Sequence, residues 1–110
     1  MKEIKFFVSQ PMRNKTNEEI KEEREKIIAS LKTAMICSNI VVIDSFFENA
    51  THDAEPLWFL GEAIKLMSEA DLIVFTEGWE EARGCKIEHQ CAKEYGKNIV
   101  YMENLWQTRF

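Results

Sequence analysis

The sequence predicts an α/β protein made of a parallel sheet with helices on both faces, a three-layer sandwich. Four short runs rich in β-branched and aromatic residues, at 4–8, 40–43, 72–75 and 98–102, alternate with segments whose apolar residues recur at helical spacing. Strands that are apolar throughout are typical of a sheet buried on both faces. The alternation indicates a parallel sheet of four or five strands, in the manner of Rossmann-like and flavodoxin-like folds.

The first helix is predicted to follow the turn Ser9-Gln10-Pro11, and Asn14, Thr16 and Asn17 mark a loop and the helix cap before it. Glu18 and Glu19 favour its first turn through the helix dipole. The helix is expected to reach about residue 37. The residues spaced to share one side of it are Ile20, Arg24, Ile27, Ile28, Leu31, Ala34 and Met35.

Two further helices are predicted, at 57–70 and at 85–95, the second stopped by Gly96. The inward residues of the earlier one are expected to be Leu57, Leu60, Ile64 and Met67. Those of the later one are expected to be Ile87, Cys91 and Tyr95. Residues 103–110 are expected to be a tail.

The composition limits the functional classes. The 110 residues are expected to form one domain, and a net charge of −5 argues against general nucleic-acid binding. No run approaches the roughly 20 apolar residues of a membrane span. Three cysteines without a CxxC pair, and no signal-peptide pattern at the N-terminus, predict a cytoplasmic protein with reduced thiols.

Ligands of such sheets bind beyond the carboxyl ends of the strands. That rule selects four segments, 9–14, 44–53, 76–84 and the residues after 102. In the first, backbone amides with Ser9 and Arg13 suit a phosphate or a sugar hydroxyl, although a plain proline turn explains the same residues. Asp44 ends a strand at this edge, whereas Asp71 begins one at the opposite edge, where capping or pairing is expected.

Glu88 lies in the first turns of the third helix. A carboxylate there gains about 0.3–1 kcal/mol from the helix dipole without any function. Gly78 and Gly84 in the preceding loop have no side chains, so a ligand could approach Glu88 closely. The alternative to the helix-dipole explanation is therefore that Glu88 takes part in catalysis. Cys85 and His89 form a weaker nucleophile candidate; no metal site is expected, because no second pair of ligands completes a tetrahedral set.

Many aromatic residues fall in predicted loops or at helix edges. They are Phe46, Phe47, Trp58, Phe59, Trp79 and Trp106. Core packing accounts for some, and an exposed remainder would favour a subunit interface or a base-stacking pocket. A symmetric dimer, or a higher homo-oligomer, through the second helix is the expected assembly.

Two segments, PLWFLGEAIKLMSEAD and GWEEARGCKIEHQCAKEYG, are similar to small uncharacterised phage and Gram-positive bacterial members of the nucleoside 2-deoxyribosyltransferase-like superfamily. The resemblance runs from IKFFVSQPM to NIVYM. In the superfamily's enzymes, a G-x-x-x-E motif opens a helix after the third strand, and its glutamate is the nucleophile. Gly84 to Glu88 matches this motif, and Ala92 and Gly96-Lys97 match the small residue and the G-K that follow.

The resemblance implies that Glu88 is catalytic and that no metal or redox cofactor is needed. It also implies that the loop after the first strand contacts the sugar or its phosphate. The position of the loops at the carboxyl edge of the sheet and the resemblance together give the expected substrate-binding residues, which are Ser9, Gln10, Met12, Arg13, Asp44, Phe46, Gly78, Trp79 and Gly84. Ala63 departs from the pattern, because the enzymes carry an aspartate eight positions before the residue matching Asp71. Glu62 is adjacent, but one helical step turns it by about 100°.

Three functions therefore remain open on the sequence. The first is an enzyme that cleaves or transfers the N-glycosidic bond of a 2-deoxynucleoside or its 5-phosphate through Glu88. The second, motivated by Ala63 and the aromatic residues, is a non-catalytic protein that binds or sequesters a nucleotide. The third is a protein-interaction module.

Overall fold

The computed structural model describes residues 3–35, 39–45 and 55–107, and it contains a four-stranded parallel sheet between layers of helices. The strands are β1 (Glu3–Ser9), β2 (Asn39–Val42), β3 (Leu72–Phe75) and β4 (Asn98–Tyr101). The helices are α1 (Asn17–Ala34), α2 (Pro56–Met67) and α3 (Arg83–Glu94). Short 3-10 segments cover Trp79–Glu81 and Met102–Gln107. The predicted Rossmann-like or flavodoxin-like α/β class is confirmed.

The strand order is β2-β1-β3-β4. The chain passes from β1 to β2 in one direction, and then crosses back over β1 to add β3 and β4 on the other side. Because the direction reverses at β1, the switch point lies between β1 and β3. Open α/β sheets bind ligands at the carboxyl end of this point.

Helix α1 covers one face of the sheet. The cap is Thr16, one of the three residues that the sequence offers for it, and Thr16 and Glu19 form a complete capping box. Leu31 and Met35 pack with Phe6 and Val8 of β1 in this half of the core. The helix ends at Ala34 rather than near residue 37, and residues 36–38 lie outside the described part of the chain.

Helices α2 and α3 cover the other face; Met67 is buried there, and Ile64 and Cys91 pack against this half of the core, as predicted. The expectation for Leu57 is wrong, since its side chain is 76% exposed; the contact with the sheet comes from the C-terminal half of α2, at Ala63 and Met67. In α3, Ile87 and Tyr95 are exposed, and the buried residues are Cys85, Glu88 and Ala92. The small Ala92 side chain lies against the sheet, so the helix is turned by one step and Glu88 faces inward.

The structure after β4 also differs from the expected tail. Residues Met102–Gln107 form a 3-10 segment, and Leu105 is only 2% exposed because it packs into the core on the α1 side. Within the described residues, no helix has both the length and the apolar character that a membrane span requires.

Candidate functional site

The floor of the candidate site is a row of three side chains at the carboxyl ends of neighbouring strands. Ser9 of β1 is the register partner of Phe75 of β3, and Phe75 is the register partner of Tyr101 of β4. Register partners in a parallel sheet point to the same face. The row faces α3, because Ser9 contacts Glu88 while Phe75 and Tyr101 contact His89.

Glu88 is held over β1 beside the switch point. Its side chain is 9% exposed, and the Ser9 hydroxyl donates a hydrogen bond of 2.5 Å to its Oε1. Burial raises the pKa of the Glu88 carboxyl, and the Ser9 hydrogen bond opposes that rise. The arrangement is a buried carboxylate with a defined orientation, which suits attack on an electrophilic carbon or the uptake of a proton.

Cys85 lies one helical turn before Glu88, also buried next to Ser9. Burial, with a contribution from the nearby Glu88 charge, raises the pKa of its thiol to about 11. A thiol protonated at neutral pH is a poor nucleophile. His89 does not activate it, because its ring is engaged by Tyr101, so the Cys85–His89 nucleophile is disfavoured.

An aromatic cluster closes the β4 side of the site. The His89 Nε2 and the Tyr101 hydroxyl are 2.6 Å apart, and the ring of Trp79 stacks on that of His89 at 4.1 Å between centroids. The pKa of His89 lies below its usual range, because burial and the Lys93 charge lower it more than the Glu80 charge raises it. Trp79, a predicted substrate-binding residue, is thus packed against the protein, although its buried Nε1 meets no acceptor among the described residues.

Two glycines shape the entrance. Gly78 has a φ of +88°, which only glycine adopts without strain, and it starts the turn that carries Trp79. A Cβ at Gly84 would meet no described atom within 4 Å. Among the described residues, nothing therefore fills the space beside the first turn of α3, and a ligand would have room there.

A second polar group lies on the opposite side of β1, under α1. Gln10 is buried, and its side chain donates to the Ile20 carbonyl and accepts from Nε of Arg24. Nη2 of Arg24 donates to the hydroxyl of Ser45, the third residue after β2. Helical spacing predicted that Arg24 lies on the inward side of α1. The sequence shows no local sign of its partners, which come from two different loops.

The other predicted residues are not all brought together. Met12 is half-buried and Arg13 is exposed, while Asp44 is exposed near Arg24; Phe46 lies outside the described residues. Away from the site, the Asp71 carboxylate accepts from the Lys5 backbone N–H at 2.8 Å. Glu62 pairs with Lys65 at 3.1 Å, and Ala63 is buried in the core. No group of three metal-ligating side chains occurs within the described ranges.

Comparison with known proteins identifies one family. The model of a family described as "Domain of unknown function (DUF4406)" matches residues 4–101, which is most of the chain. A comparison with curated proteins finds no match.

Proposed function

This chain belongs to the DUF4406 family, and we propose that it cleaves or transfers the N-glycosidic bond of a 2-deoxynucleoside or its 5-phosphate. The observation that carries the proposal is the buried carboxylate of Glu88, oriented by Ser9 at the switch point of the sheet. The G-x-x-x-E pattern from Gly84 to Glu88 and its likeness to the deoxyribosyltransferase-like enzymes add support.

The proposed reaction has two steps, as in a retaining glycosidase. An oxygen of the Glu88 carboxylate attacks C1′, and the C1′–N bond breaks with its electron pair leaving on the base, which takes a proton from solvent. Water, or a second base, then attacks C1′ and releases the Glu88 carboxylate. The Ser9 hydroxyl binds Oε1 and leaves Oε2 for the attack. Substrates without a 2′-hydroxyl suit a site with one carboxylate, because they form an oxocarbenium-like transition state more easily.

The test is the release of free base. The purified protein is incubated with deoxynucleosides, deoxynucleoside 5′-monophosphates, ribonucleotides and NAD, and the products are separated by chromatography. We expect base from at least one 2-deoxy substrate and a loss of about 10³-fold or more in Glu88→Ala, the scale usual for removal of a nucleophile. Glu69→Ala, an exposed glutamate beyond α2, is the matched control. Full activity in Glu88→Ala would exclude the mechanism.

The second candidate is a protein that binds or sequesters a nucleotide without turnover. Ala63 favours this candidate, because the deoxyribosyltransferase-like enzymes carry an aspartate at this position. The neighbouring Glu62 does not replace that aspartate, since it is paired with Lys65. Ligand-induced stabilisation without base release would support this candidate. No thermal shift with any nucleotide and no base release would exclude both.

We propose in addition a cytoplasmic homodimer formed through α2. The free thiols of Cys85 and Cys91 suit a reducing compartment, and the 76% exposure of Leu57 suits a subunit contact. Sedimentation of the wild type and of Leu57→Glu tests the contact; a dimer that the substitution does not weaken would exclude α2 as the interface.

A further inference from the structure

Arg24 is a buried arginine that the mechanism above does not use. It lies on the inner side of α1 and is 9% exposed, so its guanidinium has lost most of its contact with water. Burying a positive charge is costly unless an opposite charge or a full set of hydrogen bonds compensates it. The contacts of Arg24 decide whether this compensation is complete.

The compensation within the described residues is partial. Nε donates to Oε1 of Gln10 at 3.3 Å, and Nη2 donates to Oγ of Ser45 at 3.0 Å; both acceptors are neutral. Nη1 is buried and meets no described acceptor. Asp44 is the acidic residue whose field acts on Arg24, but its own side chain is exposed to solvent. Nearby, the charge of Lys15 is already used in an ion pair of 2.8 Å with Glu23.

The guanidinium lies at the edge where the sheet is expected to bind ligands. Gln10 follows β1 and Ser45 follows β2, so Arg24 joins the carboxyl ends of two neighbouring strands. Side chains of a helix lean toward its N-terminus, and α1 begins at this edge. Ser9 and Gln10 are consecutive, and they turn to opposite faces, toward Glu88 and toward Arg24. One strand end therefore separates the carboxylate from the cation.

We infer that Arg24, with Gln10 and Ser45, forms a site for a phosphate group. Nη1 and the second hydrogen of Nη2 remain to donate to two phosphate oxygens, and the Ser45 hydroxyl can donate its own hydrogen while it accepts from Nη2. Gln10 holds the guanidinium in place from below. The inference deepens the proposed function, because the phosphate of a nucleotide bound at Glu88 is one source of the anion; free phosphate is the other.

The test is calorimetric binding to Glu88→Gln, which cannot turn substrate over. The probes are inorganic phosphate, the four common deoxynucleosides and their 5′-monophosphates, at constant ionic strength. We expect the 5′-monophosphate of the preferred nucleoside to bind at least tenfold more tightly than the nucleoside, and Arg24→Met to remove that difference, as loss of a charge-assisted hydrogen bond would. Lys32→Met, an exposed cation at the far end of α1, should bind like the parent protein.

A second variant guards against a simple folding defect. Ser45→Ala keeps the buried charge and removes one hydroxyl, and we expect it to weaken monophosphate binding about threefold or more while nucleoside binding is unchanged. Phosphate that binds through Arg24 while the monophosphate gains nothing over the nucleoside would identify free phosphate as the ligand. Phosphate and monophosphate binding unchanged in Arg24→Met, or absent from the parent protein, would overturn the inference. Base release tests Glu88 separately, so either proposal can fail alone.

Discussion

The hydroxyl of Ser9 donates a hydrogen bond of 2.5 Å to Glu88, across a separation of 79 residues in the sequence. It joins the end of β1, one of the two inner strands, to the inner side of α3. Buried polar groups that bond to each other are sensitive to the loss of either partner. The contact therefore gives direct predictions for both residues.

Ser9→Ala should move the pH dependence of base release to higher pH. The Ser9 hydrogen bond lowers the pKa of Glu88, which burial has raised above its usual value of 4.5. Its removal raises that pKa further. Since attack needs the ionised carboxylate, the acidic limb of log kcat/KM against pH should shift upward. Ser68→Ala, which removes a hydroxyl bonded to the Lys65 carbonyl, is the control. An unchanged limb would show that Glu88 is not the titrating group.

Glu88→Gln should stabilise the fold at neutral pH, by about 0.5–2 kcal/mol, the range of single stabilising substitutions. The folded-state pKa of Glu88 is raised, so the folded protein binds more protons than the unfolded chain above pH 4.5. Stability from this group is complete below pH 4.5 and is lost as pH rises through the folded pKa. The gain should therefore appear in urea unfolding at pH 7.5 and vanish near pH 4. An equal gain at both pH values would contradict this origin.

Met67→Ala and Leu57→Ala should differ strongly, although both change α2. Met67 is 4% exposed in the core, and its truncation should cost about 2–5 kcal/mol in the free energy of unfolding. Leu57 is 76% exposed, and its truncation in the monomer should stay within about 0.5 kcal/mol. Chemical denaturation at low protein concentration measures both. Equal costs would mean that the first turn of α2 packs inward, as the spacing of its leucines suggests.

Lys93→Met should raise the pKa of His89. Lys93 is one turn further along α3, and its positive charge disfavours the protonated imidazole. Titration followed by NMR of the imidazole protons measures the change, with the His89 signal assigned from His89→Gln. Lys86→Met removes a cation that does not act on His89 and should leave its pKa unchanged. A fall in the pKa after Lys93→Met would contradict the account of this cluster.

The fold class follows from the sequence because continuous apolar strands and amphipathic helices are local patterns. The inward side of α3 does not follow from the sequence. Apolar spacing favours Ile87 and Tyr95 as inward residues, whereas in the structure Ala92 packs on the sheet and Glu88 faces inward. Polar residues that take core positions break the pattern from which a buried side is inferred. The resemblance to known enzymes indicated Glu88, but the contact with Ser9 depends on the pairing of distant strands.

The partners of Arg24 show the same limit. Its helical spacing places it inward, but Gln10 and Ser45 follow two strands that are adjacent only in the folded sheet. Short-range patterns carry no information on strand order. A buried cation within an otherwise apolar stripe is the one available sign, and it indicates a polar contact without identifying the partner.

The most direct measurement of the central claim is the capture of a glycosyl ester on Glu88. Deoxynucleosides and their 5′-monophosphates with fluorine at C2′ in the arabino configuration slow both steps, because fluorine destabilises the oxocarbenium-like transition state. Intact mass spectrometry followed by peptide mapping detects the adduct after an acid quench. We predict one fluorodeoxyribosyl group on the peptide containing Glu88 in the wild type, and none in Glu88→Gln. Base release from the unmodified substrates by a protein that never carries this adduct, or an adduct elsewhere on the chain, would contradict the assignment of Glu88 as the nucleophile.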